Sequence, residues 1–92
     1  MGAKSQRKGR AGEHEVRDLA LAFNLPARTH NIYESLDVTI DGEPYEVKRK
    51  KQICKVAYNA MHSGAAGLIF RSDRERWLIT IPFEDWLKDK AK

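Results

Sequence analysis

The sequence predicts an α/β domain, a mixed β-sheet flanked by helices in the order α-β-β-β-α-β-β-α. Three observations predict it. Residues 10–23 place Val16, Leu19, Ala20 and Phe23 on one stripe at helical spacing. Residues 36–50 alternate apolar and polar around a turn at Asp41-Gly42-Glu43-Pro44, the pattern of a hairpin. Beyond them a second helical pattern, two short apolar runs and a third helical pattern complete the 92 residues.

The elements follow in order. Residues 1–8 are polar and basic and read as a flexible tail. The first helix ends at Asn24 and Pro26, and a short strand follows over residues 27–31. The second helix, residues 52–63, carries Ile53, Val56, Ala57, Ala60 and Met61 inward and stops at Gly64. Residues 66–70 (Ala-Gly-Leu-Ile-Phe) read as a buried strand, residues 71–75 as a polar turn, and residues 76–81 as the partner strand. Pro82 opens a last helix with Phe83, Trp86 and Leu87 on one face. A chain this short forms one domain over residues 1–92 with a modest core, and a partner subunit would help it.

The chemistry concentrates in the hairpin. Val38, Ile40, Tyr45 and Val47 fall on one side of the pleat; Asp37, Thr39, Glu46 and Lys48 fall on the other. With the loop centred on Gly42-Glu43, Asp37 lies across from Lys48; with it centred on Asp41-Gly42, Asp37 lies across from Glu46. Both registers keep two carboxylates and an ammonium on one face, the parts of a divalent-metal hydrolytic site. A hard cation takes several oxygen ligands, so a third acid is expected from the first helix. Glu13 and Glu15 both sit on the flanks of its stripe, and periodicity favours Glu13 only slightly. The plain alternative is that Glu46 and Lys48 form an ordinary surface ion pair.

Charge points to a polyanion. The formal net charge is +4, with basic clusters at Lys4, Arg7, Lys8 and Arg10 and again at Lys48, Arg49, Lys50 and Lys51. The single cysteine, Cys54, excludes an internal disulfide and a cysteine-based zinc site. The polar N-terminus is unlike a secretory signal, and no apolar run reaches the roughly 20 residues of a membrane span. An intracellular protein without membrane contact is expected, with a start at Met1 that reads as a whole domain.

Taken together, the motifs resemble those of the PD-(D/E)xK nuclease superfamily, and within it the archaeal-type Holliday junction resolvases that some phages also carry. Lys8-Gly9-Arg10-Ala11-Gly12-Glu13 is similar to the family's Lys-Gly-x-x-x-Glu opening of the first helix. Asp37 resembles the motif aspartate, Glu46-Val47-Lys48 the Glu-x-Lys, and Arg28 an arginine on the preceding strand. Residues 76–82 are similar to a late tryptophan-containing strand. His14 stands where the family usually has arginine, and Leu36 stands in place of the usual proline, which resolvases often lack.

The resemblance implies a restriction-endonuclease-like fold and Mg²⁺- or Mn²⁺-dependent cleavage of branched DNA by a homodimer, in a host cytoplasm if phage-encoded. It selects Glu13 over Glu15. Glu13, Asp37, Glu46 and the Val47 carbonyl would hold the metal, and Lys48 would assist the attacking water. Lys8, Arg10, Arg28, Arg49, Lys50 and Lys51 would hold backbone phosphates. Two alternatives stand beside it: a general nickase or flap-type nuclease of the same superfamily, and a non-catalytic basic DNA-binding module on the same fold.

Overall fold

A computed structural model describes the backbone from residue 3 to residue 92 and the side chains from Arg10 onward. The elements come in the expected order: α1 (Ala3–Ala22), β1 (Ala27–Thr29), β2 (Val38–Ile40), β3 (Glu43–Tyr45), α2 (Lys55–His62), β4 (Leu68–Phe70), β5 (Leu78–Thr80) and α3 (Phe83–Lys90). They make two compact units, one reaching to Lys51 together with Ala91–Lys92, the other Gln52–Lys90. None of the described helices is long and apolar enough to cross a membrane.

The first unit is one helix packed on a three-stranded meander. From Ala3 onward the expected tail is already helical, because Lys, Arg, Gln and Ala are all good helix formers. Met1, Gly2 and the side chains up to Gly9, Lys8 included, lie outside the described residues. At its other end α1 closes in a Schellman turn. Asn24 takes a left-handed φ of 64°, its N–H donates to the Leu21 carbonyl, and the Leu25 N–H reaches back to Ala20. Ala20 and Leu25 are thereby buried with Val38 and Ile40 of β2, which form the core of this unit.

The strands order as β1-β2-β3, all antiparallel. Ile40 pairs with Glu43, so the loop is Asp41-Gly42, and both residues have positive φ (51° and 85°). This is the type I′ geometry that matches strand twist, and Gly42 adopts it without a Cβ clash. Of the two registers the hairpin allowed, this is the one that would set Asp37 across from Glu46 if the ladder continued. The regular ladder ends at Tyr45, however. The Asp37 N–H donates to the Tyr45 carbonyl (3.0 Å), although it is Val38 that pairs with Tyr45. Pairing therefore slips by one residue, and residues 46–50 are not strand.

The second unit holds α2, β4, β5 and α3. Helix α2 starts three residues later than expected, since Cys54 sits in the left-handed region (φ 53°) and cannot propagate a helix. It stops as expected: Gly64 and Ala65 donate to Met61 and Ala60 in a second Schellman turn. Strands β4 and β5 pair as a hairpin with Ile69 opposite Ile79. Pro82 begins α3 by accepting the N–H groups of Asp85 and Trp86. Phe83 and Trp86 stack with ring centroids 5.9 Å apart, and Leu87 is fully buried.

Two further expectations are corrected. Hydrogen bonding gathers the five strands into two antiparallel sheets, of three and two strands, rather than one mixed sheet. Each strand has three residues and is joined to its partner by a short link, which favours hairpin pairing over a parallel crossover. The expected buried strand over residues 66–70 is largely exposed at Ile69 and Phe70. In a two-stranded sheet alternate side chains face opposite ways, and only the Leu68–Phe70 side contributes to the groove with α2. Ile69, Ile79 and Trp77, 65% exposed, stand on the other side, with the Arg71 guanidinium 5.3 Å over the Trp77 ring.

Candidate active site

Asp37 lies where both ladders of the first sheet meet. Its carbonyl accepts from the His30 N–H (2.9 Å) and its N–H donates to Tyr45, so neighbours on both sides fix its backbone. Its side chain is half-buried, and Oδ2 accepts the Val47 N–H at 2.7 Å. That bond takes over where the ladder slips: a carboxylate oxygen replaces the backbone acceptor that regular pairing would have offered.

Glu13 comes to the same place from α1. The preceding residue, Gly12, is buried. A Cβ there would lie 3.2 Å from Arg49 Cβ and 3.7 Å from Val47 Cγ1, so the missing side chain is what lets the segment after β3 lie close against the helix. One residue on, Glu13 lines the same hollow as Asp37. Burial raises its pKa above the ordinary value, and the Asp37 charge and shared hydrogen bond raise it further; His14 and Arg10 pull the other way. Arg10, Glu13 and Asp37 line one open polar hollow of ≈ 290 Å³, rimmed by the β1–β2 loop.

That loop is tied down. Arg28 Nη1 and Nη2 donate to the two carboxylate oxygens of Glu34 at 3.0 and 2.8 Å, a two-pronged pair. Glu34 also accepts the Asn31 N–H, and these bonds, the guanidinium first, bring its pKa down to about 2. His30 Nδ1 lies 2.8 Å from the Ser35 carbonyl, so this nitrogen carries the proton and donates. Nε2, 2.6 Å from Thr39 Oγ1, then accepts from the hydroxyl in the neutral ring.

The residues expected in the site divide accordingly. Glu13, Asp37 and Arg10 come together. Glu46 is exposed and lies 3.6 Å from Lys48 Nζ, as a surface pair. Among the described residues no three His, Cys, Asp or Glu side chains group so as to hold a metal ion. Val47 enters through its N–H. Arg28 is engaged by Glu34, and Arg49 lies 3.4 Å from Glu15, the alternative acid of α1. Lys50 and Lys51 are exposed. The part of His30 and Glu34 in shaping the hollow is not visible in the sequence, because it depends on the β1–β2 register that pairs Thr29 with Val38.

A second hollow, an apolar groove of ≈ 350 Å³ between α2 and β4–β5, holds Cys54 and Lys55 as its only titratable groups among the described residues. The polar hollow brings carboxylates and a cation together, which the apolar groove does not. Two adjacent carboxylates suit a hard divalent cation whose remaining ligands are water or phosphate, and an arginine beside them suits an anionic substrate. No protein-family model, curated protein or solved structure matches the chain.

Proposed function

We propose that the chain is a metal-dependent endonuclease that hydrolyses DNA phosphodiester bonds, on a PD-(D/E)xK core of restriction-endonuclease-like kind, and that its substrate is branched DNA of the Holliday junction type. The observation that carries this reading is the meeting of Glu13 and Asp37. They stand 24 positions apart in sequence, in the two motifs that suggested the family, and they share one hollow with Arg10.

The donor set fits Mg²⁺ or Mn²⁺ through two carboxylates. Glu13 and Asp37 Oδ1 would hold the ion, which when bound would polarise a phosphodiester oxygen and acidify a water. Burial first, and the Asp37 charge after it, raise the Glu13 pKa, and a cation between the two carboxyls would offset both. Arg10 would orient the phosphate by its charge, and the run from Lys48 to Lys51 would add a sequence-tolerant grip on the backbone. Lys48 and Glu46 belong to the reading as the residues expected to assist water and to complete the acid set, once their exposed ion pair opens. Two cuts on a four-way junction call for two sites, hence a homodimer; the exposed Ile69, Ile79 and Trp77 offer an apolar face for it.

The Glu46–Lys48 pair favours a second reading, a basic DNA-binding module whose acids only make ion pairs. Labelled four-way junction, flap and linear duplex, incubated with Mg²⁺ or with EDTA, separate the two. The nuclease gives metal-dependent nicks that disappear in Glu13→Gln. Salt-sensitive binding without any cutting leaves the module.

A further inference from the structure

The β1–β2 loop combines a fixed backbone with a solvent-facing apolar tip. Arg28, Glu34 and His30 hold it as described, and the Asn31 side chain accepts the Tyr33 N–H at 2.9 Å. Yet Ile32 is 85% and Tyr33 90% exposed. Scattered exposed apolar residues are ordinary. Here two adjacent ones stand on a loop braced by four polar side chains, and Ile32 lines the same hollow as Arg10, Glu13 and Asp37.

We propose that the Ile32–Tyr33 tip covers an unpaired nucleobase beside the phosphodiester that Arg10 draws to the hollow of Glu13 and Asp37. This rests on the nuclease reading and names the feature of the DNA that the site selects. A stacked duplex has no free base face beside its backbone; a fork, flap or branch point does. An aromatic ring accepts any base by its π-face, and an aliphatic wedge fills the space left by an unstacked neighbour. Arg10 in the hollow supplies a cation for the adjoining phosphate, and the net charge of +4 draws in a polyanion rather than a basic partner. Bracing by Arg28 and Glu34 lets the tip bind without first being ordered.

The test is binding in EDTA, which is independent of cutting. The full chain is titrated with a forked duplex carrying 2-aminopurine at the first unpaired position, and with a fully paired duplex of equal length. Expected are at least roughly ten-fold tighter binding of the fork and quenching of the 2-aminopurine as it stacks. Ile32→Ser with Tyr33→Ser abolishes both, bringing fork affinity down to that for duplex, whereas Tyr33→Phe keeps both. The thermal midpoint of the double variant, matched to the parent, checks that it is folded. A parent protein that binds fork and duplex alike overturns the proposal. So does a double variant that keeps the preference, or that loses both substrates by one factor. Cleavage in Mg²⁺ is scored separately. Cutting without fork preference sinks the tip alone; fork preference without cutting sinks the nuclease and leaves the base-stacking tip.

Discussion

Asp37 has a structural bond and a chemical charge on the same carboxylate, and two substitutions separate them. Asp37→Asn keeps an oxygen able to accept the Val47 N–H; Asp37→Ala removes it. A hydrogen bond to a charged group contributes about 1.5–3 kcal/mol and a neutral one about 1 kcal/mol. Both partners are half-buried, so the lower part of each range applies. Both variants also relieve the repulsion on Glu13, and this shared gain cancels when they are compared with each other. The alanine variant should then be about 1 kcal/mol less stable than the asparagine variant. For a domain of this size that is roughly 4–8 °C in thermal midpoint, read by circular dichroism at neutral pH. Amide exchange at Val47 should accelerate in the alanine variant only. Cleavage should fall by about 100-fold or more in both, because each lacks the charge. Equal midpoints and equal Val47 protection in the two variants would refute the structural role; an asparagine variant that still cuts DNA would refute the chemical one.

Other consequences follow from the same contacts. Glu13 has a raised pKa in the folded state, so its contribution to stability is lost as pH rises through that value. Glu13→Gln should therefore melt no lower than the parent at pH 7, with the difference shrinking toward pH 4, while cleavage is abolished. Glu34 is shifted the other way: its pairing with Arg28 stabilises the fold above the ordinary value of 4.5 and is lost as pH falls from there toward about 2. An NMR titration of the Glu34 carboxyl should show its midpoint rising in Arg28→Ala, together with faster amide exchange in residues 31–34. Gly67→Ala would place a Cβ 2.5 Å from the Thr80 carbonyl oxygen, a backbone atom that cannot swing away. A loss of about 1–3 kcal/mol is expected, and denaturant unfolding would expose an error if the midpoint is unchanged.

The sequence carries the element order because each signal is local. The α1 stripe, Asn24 as helix terminator, Asp41-Gly42 as turn and Pro82 before α3 all act within a few residues, and all recur in the structure. What local patterns do not carry is pairing. Alternation in residues 36–48 holds in either register and says nothing of the slip at Tyr45, which arises from the Asp37 bonds to Tyr45 and Val47. A buried reading of residues 66–70 fails for a similar reason. A continuous apolar run marks a strand covered on both faces, whereas β4 has one partner strand and leaves Ile69 exposed. In the site, Glu13 and Asp37 were legible as candidates, but their approach depends on Gly12 admitting Val47 and Arg49 against the helix, a contact between distant segments.

The slip at Tyr45 links fold to chemistry. Had β3 continued in register, the Val47 N–H would not have needed a side-chain acceptor, and both oxygens of Asp37 would have been free to turn. With Oδ2 fixed on Val47 and the Asp37 backbone bonded on both sides, the carboxylate has one orientation. Oδ1 is then the oxygen left for Glu13 or for a ligand. Preorganisation of this kind holds charges in place before a substrate arrives. It also keeps Asp37 beside Glu13: turning the carboxylate away would break the Val47 bond. The irregularity in the strand and the fixed Asp37 carboxylate are thus two aspects of one arrangement, and restoring regular pairing by moving the loop should release both together.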